Sequence, residues 1–168
     1  MVSSMRALLS FPNPVNEKAA RVVAGAVLAC VLTILLIRWY WLLVPLAYGF
    51  WARVLTGPKL SPLGWAAQNV IAPRLGPRKP VPGAPKRFAQ GIGALLSTVT
   101  AVLALAAGWH TAADVVLVLF AVAAGLESIV GYCLGCRLFA LLMRAGVVPK
   151  TVCAECADIS GRLRTTAG

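Results

Sequence analysis

Apolar residues run along this chain in long unbroken blocks, without the alternation of a half-buried strand. Residues 22–37, 39–52, 88–113 and 115–126 carry no formal charge. Each block reaches or approaches the roughly 20 residues that cross a bilayer as helix. No segment alternates with period two over the length of a barrel strand, and backbone in hydrocarbon must bond to itself, so helices are expected. The pattern predicts an all-α integral membrane fold of four transmembrane helices in two hairpins, at about 19–37, 39–55, 88–109 and 112–132.

The punctuation fits these elements. Asn16 is an expected N-cap with Glu17 in the first turn. Phe11-Pro12-Asn13-Pro14 interrupts the segment before it, and the apolar run lacks the cleavage site of a signal peptide, so the first span is expected to stay. Thr111 and Asp114 have capping-box spacing ahead of the fourth helix. Trp39, Tyr40, Trp41 and Trp109 form an expected interfacial belt, with His110 a solvated residue in the outer turn. Only Arg38 separates the first two spans, so a single helix over 22–44, ended by Pro45, is the alternative.

Charge decides for four spans. The net charge is +11, with 16 basic residues. With both termini cytoplasmic, 15 of these 16 lie inside and only Arg38 outside. Three spans would export Arg53 and the loop at 56–87, seven basic residues together, against the positive-inside rule. Within that loop Ser61-Pro62 marks a helix start, and Leu63, Ala67, Val70 and Ile71 are expected on one face of a short interfacial helix beside anionic lipid headgroups. A nucleic-acid partner is excluded, because the charge follows topology and no aromatic residues are interleaved with it. Composition agrees, at 60% hydrophobic and a mean hydropathy of +0.82.

Candidate chemistry lies in a cytoplasmic dithiol segment and tail at 133–168. Cys133 and Cys136 stand in a Cys-x-x-Cys spacing, and Cys153 and Cys156 repeat it after sixteen residues. Facing the cytoplasm, such thiols are expected to be reduced. Cys133 and Cys136 lie one helical turn apart, where a helix terminus or Arg137 could activate a thiol. The same four cysteines also have the spacing of a four-thiolate zinc site. A third reading makes them small packing residues, which is the reading for Cys30. Glu127 lies inside a span, where a lone carboxylate is costly. With no base expected at its depth, it should be uncharged and bonded to Ser97, Thr98 or Thr100. Gly131-x-x-x-Gly135 permits close approach of a neighbouring helix. No phosphate loop, Rossmann fingerprint, His cluster or Ser-His-Asp set is present.

The stretches FPNPVNEKAARVVAG, GPKLSPLG, APKRFAQGIG and GLESIVGYCLGC, in that order, resemble the bacterial membrane family called domain of unknown function 4395 over roughly residues 12–157. The resemblance singles out Glu127, Cys133 and Cys136 and implies a multi-pass protein of the bacterial inner (plasma) membrane. It also implies association with thioredoxin-like or sulfurtransferase proteins. The expected function is therefore partnership in thiol-disulfide or sulfur-relay chemistry through Cys133, Cys136, Cys153, Cys156 and Glu127, as a component rather than a stand-alone enzyme. The alternatives are a structural zinc-binding membrane protein and a small transporter of a sulfur species or metal.

Overall fold

A computed structural model describes residues 13–153, which are almost entirely helical. Helix α1 (Glu17–Ile37) starts where expected: the Asn16 side chain accepts the Lys18 N–H at 3.2 Å, satisfying an amide that every helix start leaves open. It ends at Arg38, whose backbone is left-handed (φ 56°) and returns its N–H to the Ile34 carbonyl. A non-glycine residue makes this turn because its side chain is tied down. Arg38 Nη1 lies 2.6 Å from Asp114 Oδ2, and the Tyr40 hydroxyl donates to Asp114 Oδ1 at 2.8 Å.

After a tight turn at Tyr40–Leu42 comes α2 (Leu43–Thr56). Next, α3 (Pro62–Ala66) is capped by Ser61 and prolonged by irregular turns to Leu75. The long helices α4 (Gly83–Ala101) and α5 (His110–Gly125) each continue through a wider i→i+5 turn, to Ala106 and Val130. Helix α6 (Leu134–Arg144) follows. A two-residue antiparallel ribbon pairs β1 (Val15–Asn16) with β2 (Pro80–Val81), strapping the start of α1 to the segment before α4.

Three stretches are long and apolar enough to cross a bilayer: Glu17–Ile37, Gly83–Ala106 and His110–Val130, with mean hydropathies of 2.5, 1.8 and 2.2. Helix α2 has 14 residues, about 21 Å at 1.5 Å per residue. That is short of the roughly 30 Å hydrocarbon thickness by itself. It packs along α4, while α1 packs on α5 and α6 on α4. Val31, Ile34, Leu43, Phe50, Leu117 and Phe120 form the centre of the core. Gly93 admits the Phe50 ring, which a Cβ there would overlap. Outward-facing Leu36, Leu95, Val115 and Leu119 are exposed, as in helices that face lipid.

Four local expectations change. Helix α4 begins at Gly83 rather than 88, so Lys86 and Arg87 belong to a helix and not to a loop. Helix α5 begins at His110 with no side-chain cap, because the Asp114 carboxylate is spent on Arg38 and Tyr40. His110 stacks on Tyr40 at 4.8 Å. In the 56–87 segment Ala67 and Ala72 are buried whereas Val70 and Ile71 are exposed, so these do not share one face.

Candidate functional site

The chemistry collects at the end of the bundle opposite the Arg38–Asp114 pair, around the chain break between α5 and α6. The fourth helix does not run on into the cysteines: it stops at Gly131, whose φ of 78° suits glycine alone. Arg21 of α1 secures the stop, its guanidinium donating to the Ser128 carbonyl at 3.2 Å and the Ile129 carbonyl at 2.7 Å. These are carbonyls that a helix end leaves unpaired. Two residues later Cys133, in extended conformation, is the N-cap of α6, its Sγ accepting the Cys136 N–H at 3.4 Å. Sulfur thus occupies the place usually taken by a Ser or Asp oxygen.

The turn of helix brings the two sulfurs together. Cys136 Sγ donates to Cys133 Sγ at 2.8 Å, and both thiols are free; a disulfide would be about 2.05 Å. Cys133 is buried and Cys136 partly exposed. Helix α6 sits tightly on α4, since a Cβ at Gly135 would come 2.6 Å from the Ala89 Cβ. Its Phe139 packs on Phe88, with ring centroids 5.5 Å apart.

Lys86 is the residue that the sequence reading missed. Its Nζ lies 2.6 Å from Glu127 Oε1, and the two side chains retain only 9% and 19% of their exposure. This corrects the expectation for Glu127: Ser97 and Thr98 donate to the Ala94 carbonyl and Thr100 to the Leu96 carbonyl instead. The signal was present in Pro82-Gly-Ala-Pro85, because proline in a first turn marks a helix start and moves Lys86 into the bundle.

These charges divide the labour of the thiols. The hydrogen bond from Cys136 holds the Cys133 thiol below its ordinary pKa, and the Lys86 charge works in the same direction. Burial and Glu127 oppose them. Cys136 is pushed up, chiefly because its proton is shared with Cys133 and then by burial. The amide dipoles at the start of α6 also favour a thiolate. Of the two thiols, Cys133 is thus the one favoured to ionise and Cys136 the one favoured to keep its proton.

A cavity of about 430 Å³ opens between the helices beside this pair. Val27, Phe50, Leu96 and Phe120 give it apolar walls, while Glu127 and Cys133 contribute polar atoms. Its size is within the range of ligand sites.

Cys153 ends a short turn at Lys150–Cys153 and is disulfide-bonded, and Cys156 lies outside the described residues. Among the described residues no three Cys, His, Asp or Glu side chains come together as metal ligands. The described part of the chain supplies a dithiol and a carboxylate–ammonium pair, and the four-cysteine set lies partly outside it, with Cys156. Arg137 lies over the Tyr132 ring at 5.1 Å. Cys30 is a partly buried free thiol packed against the core.

The model of one protein family, described as Domain of unknown function (DUF4395), matches residues 15–144. That range contains Lys86, Glu127, Cys133 and Cys136. No curated protein matches the chain, and no solved structure does.

Proposed function

The chain belongs to the DUF4395 family, and from that premise we propose that it is a membrane-embedded dithiol protein whose Cys133–Cys136 pair exchanges electrons or sulfur with a soluble thioredoxin-like or sulfurtransferase partner. The observation carrying this reading is the 2.8 Å hydrogen bond between two free sulfurs at the start of a helix. Packing alone gives no reason for one thiol to be held below its ordinary pKa and its neighbour above it.

The asymmetry sets the direction of attack. When the pair is oxidised, a partner thiolate attacks Cys136, the more exposed sulfur. The Cys133–Cys136 bond breaks and its electron pair leaves on Cys133, whose lowered pKa makes it the better leaving group. A second partner thiolate then attacks the partner's own sulfur in the mixed disulfide, and Cys136 leaves and takes up a proton. Two electrons pass from the partner dithiol to the pair. In reverse, Cys136 passes its proton across the shared hydrogen bond to Cys133 as it attacks a partner disulfide and the partner's other sulfur leaves; Cys133 then gives up that proton, attacks Cys136 and releases the reduced partner.

Cys133→Ser should accumulate a reductant-sensitive adduct on Cys136, visible as a mass increase on non-reducing gels. Cys136→Ser, which leaves only the buried sulfur, should accumulate far less. Adducts in neither variant, or equal yields in both, would contradict the proposed order.

For topology we propose four spans with both termini cytoplasmic in a bacterial inner membrane, and anionic lipid against the basic segment. Support comes from the Arg38 turn, which returns the chain into Tyr40–Thr56 beside α4, and from the 15 basic residues this arrangement keeps inside. A cysteine introduced at exposed Arg78 should resist membrane-impermeant thiol reagents in intact cells and react after lysis. Labelling in intact cells would reverse the topology. The cavity supports a second reading, reception or passage of a small sulfur species past Glu127, which requires no adduct on Cys136.

A further inference from the structure

Arg53, in the last turn of α2, is buried to 5% exposure. Its Nε donates to Gln90 Oε1 at 2.9 Å and its Nη1 to Ser61 Oγ at 3.3 Å, and the guanidinium lies 4.5 Å over the Phe50 ring. Nη2 is buried and has no hydrogen-bond partner. Among the described residues no carboxylate neutralises the group. The three acids among the described residues are taken: Asp114 by Arg38, Glu17 by Lys79 and Glu127 by Lys86. A buried charge held only by neutral acceptors and a ring face is costly, and an orphan donor on it adds to that cost.

The guanidinium borders a second, smaller cavity of about 50 Å³. By the same kind of measure a water needs about 10–15 Å³, so there is room for a hydrated ion but not for a lipid headgroup with its chains. Gln68, Lys86 and Gln90 are its other polar walls. The remaining walls come from GPKLSPLG, through Gly57 and Gly64, and from the start of α1, through Ala19 and Ala20. Three of the four stretches that carry the family resemblance thus converge on one small cationic chamber.

We propose that this chamber binds a single small inorganic anion of halide size, with Arg53 Nη2 as its principal donor and the amides of Gln68 and Gln90 beside it. The anion supplies the missing counter-charge and the missing acceptor together. Lys86 is committed to Glu127, so the net positive field in the chamber is that of Arg53. None of its walls is a cysteine, and Lys86 is the one residue it shares with the thiol site.

Full-length protein in detergent should melt at a temperature that rises with sodium bromide and saturates, relative to sodium gluconate at equal ionic strength. Gluconate, a bulky organic anion, serves as the reference. Crystals grown in bromide should give an anomalous peak in contact with Arg53 Nη2. Arg53→Lys, which keeps the charge but loses the planar fork of donors, should remain folded and lose the saturable rise. Identical melting in the two salts, or bromide peaks only elsewhere with water at Nη2, would overturn the site. The wild-type crystal decides the matter alone if Arg53→Lys does not fold.

Discussion

Lys86→Met should destabilise the folded protein by about 3 kcal/mol, because it strands the Glu127 carboxylate without its ammonium partner in a largely desolvated place. The figure is the low end for breaking a buried pair, since Glu127 keeps 19% of its exposure. Adding Glu127→Gln should restore much of the loss, because the amide needs no counter-charge. Unfolding of the purified variants in detergent, run as a double-mutant cycle, measures this. A Lys86→Met protein as stable as wild type would mean that the 2.6 Å pair contributes nothing. The same substitution should raise the Cys133 pKa, because Lys86 helps to lower it, and Glu127→Gln alone should lower it further, because Glu127 opposes the thiolate.

The largest chemical effect should come from Cys136→Ala. The hydrogen bond from Cys136 is the foremost cause of the low Cys133 pKa, and without it the burial that opposes ionisation prevails. Less thiolate is then present at neutral pH, so alkylation of Cys133 there should slow relative to wild type. Alkylation followed by peptide mapping separates Cys133 from Cys30. An unchanged rate would show that Cys136 does not tune its neighbour. This variant touches neither Lys86 nor Glu127, so its effect is separable from that of Lys86→Met.

Much of the fold was legible because membrane helices are written in long apolar blocks. Asn16 and Ser61 cap the helices that they were expected to open, as their side-chain oxygens require. Cys133 and Cys136 meet because an N-cap side chain turns back onto the first turn of the helix it opens. Less legible was whatever depends on where a helix begins or stops. Ending the third helix's charge-free block at Phe88 left Lys86 among loop charges, although two prolines just upstream already marked an earlier start. The fourth span was expected to run through Gly131 to residue 132. The left-handed turn at Gly131 instead folds α6 back onto α4 and brings dithiol and carboxylate to one cavity.

Arg53 was hidden for a different reason. Counting charges by side of the membrane assigns Arg53 to one end of a span but does not say which way its side chain points. Only packing against Gln90, Ser61 and Phe50 turns it inward. Asp114 shows the converse: its spacing from Thr111 suggested a cap, yet a partner 76 positions away in the chain, Arg38, takes the carboxylate. Long-range ion pairs of this kind leave no local pattern to read.

The central claim, that Cys133 is an activated thiolate served by Cys136 and Lys86, is tested most directly by the pH dependence of its alkylation in the wild-type protein. Below the lowered pKa the thiolate and the reaction are lost, and above it both are fully present. The account predicts that Cys133 reacts with a midpoint below the roughly 8.5 of an ordinary cysteine, and that Cys136 stays unreactive over the same range because its pKa is raised. A Cys133 midpoint at or above the ordinary value, or matched titration of the two thiols, would contradict it.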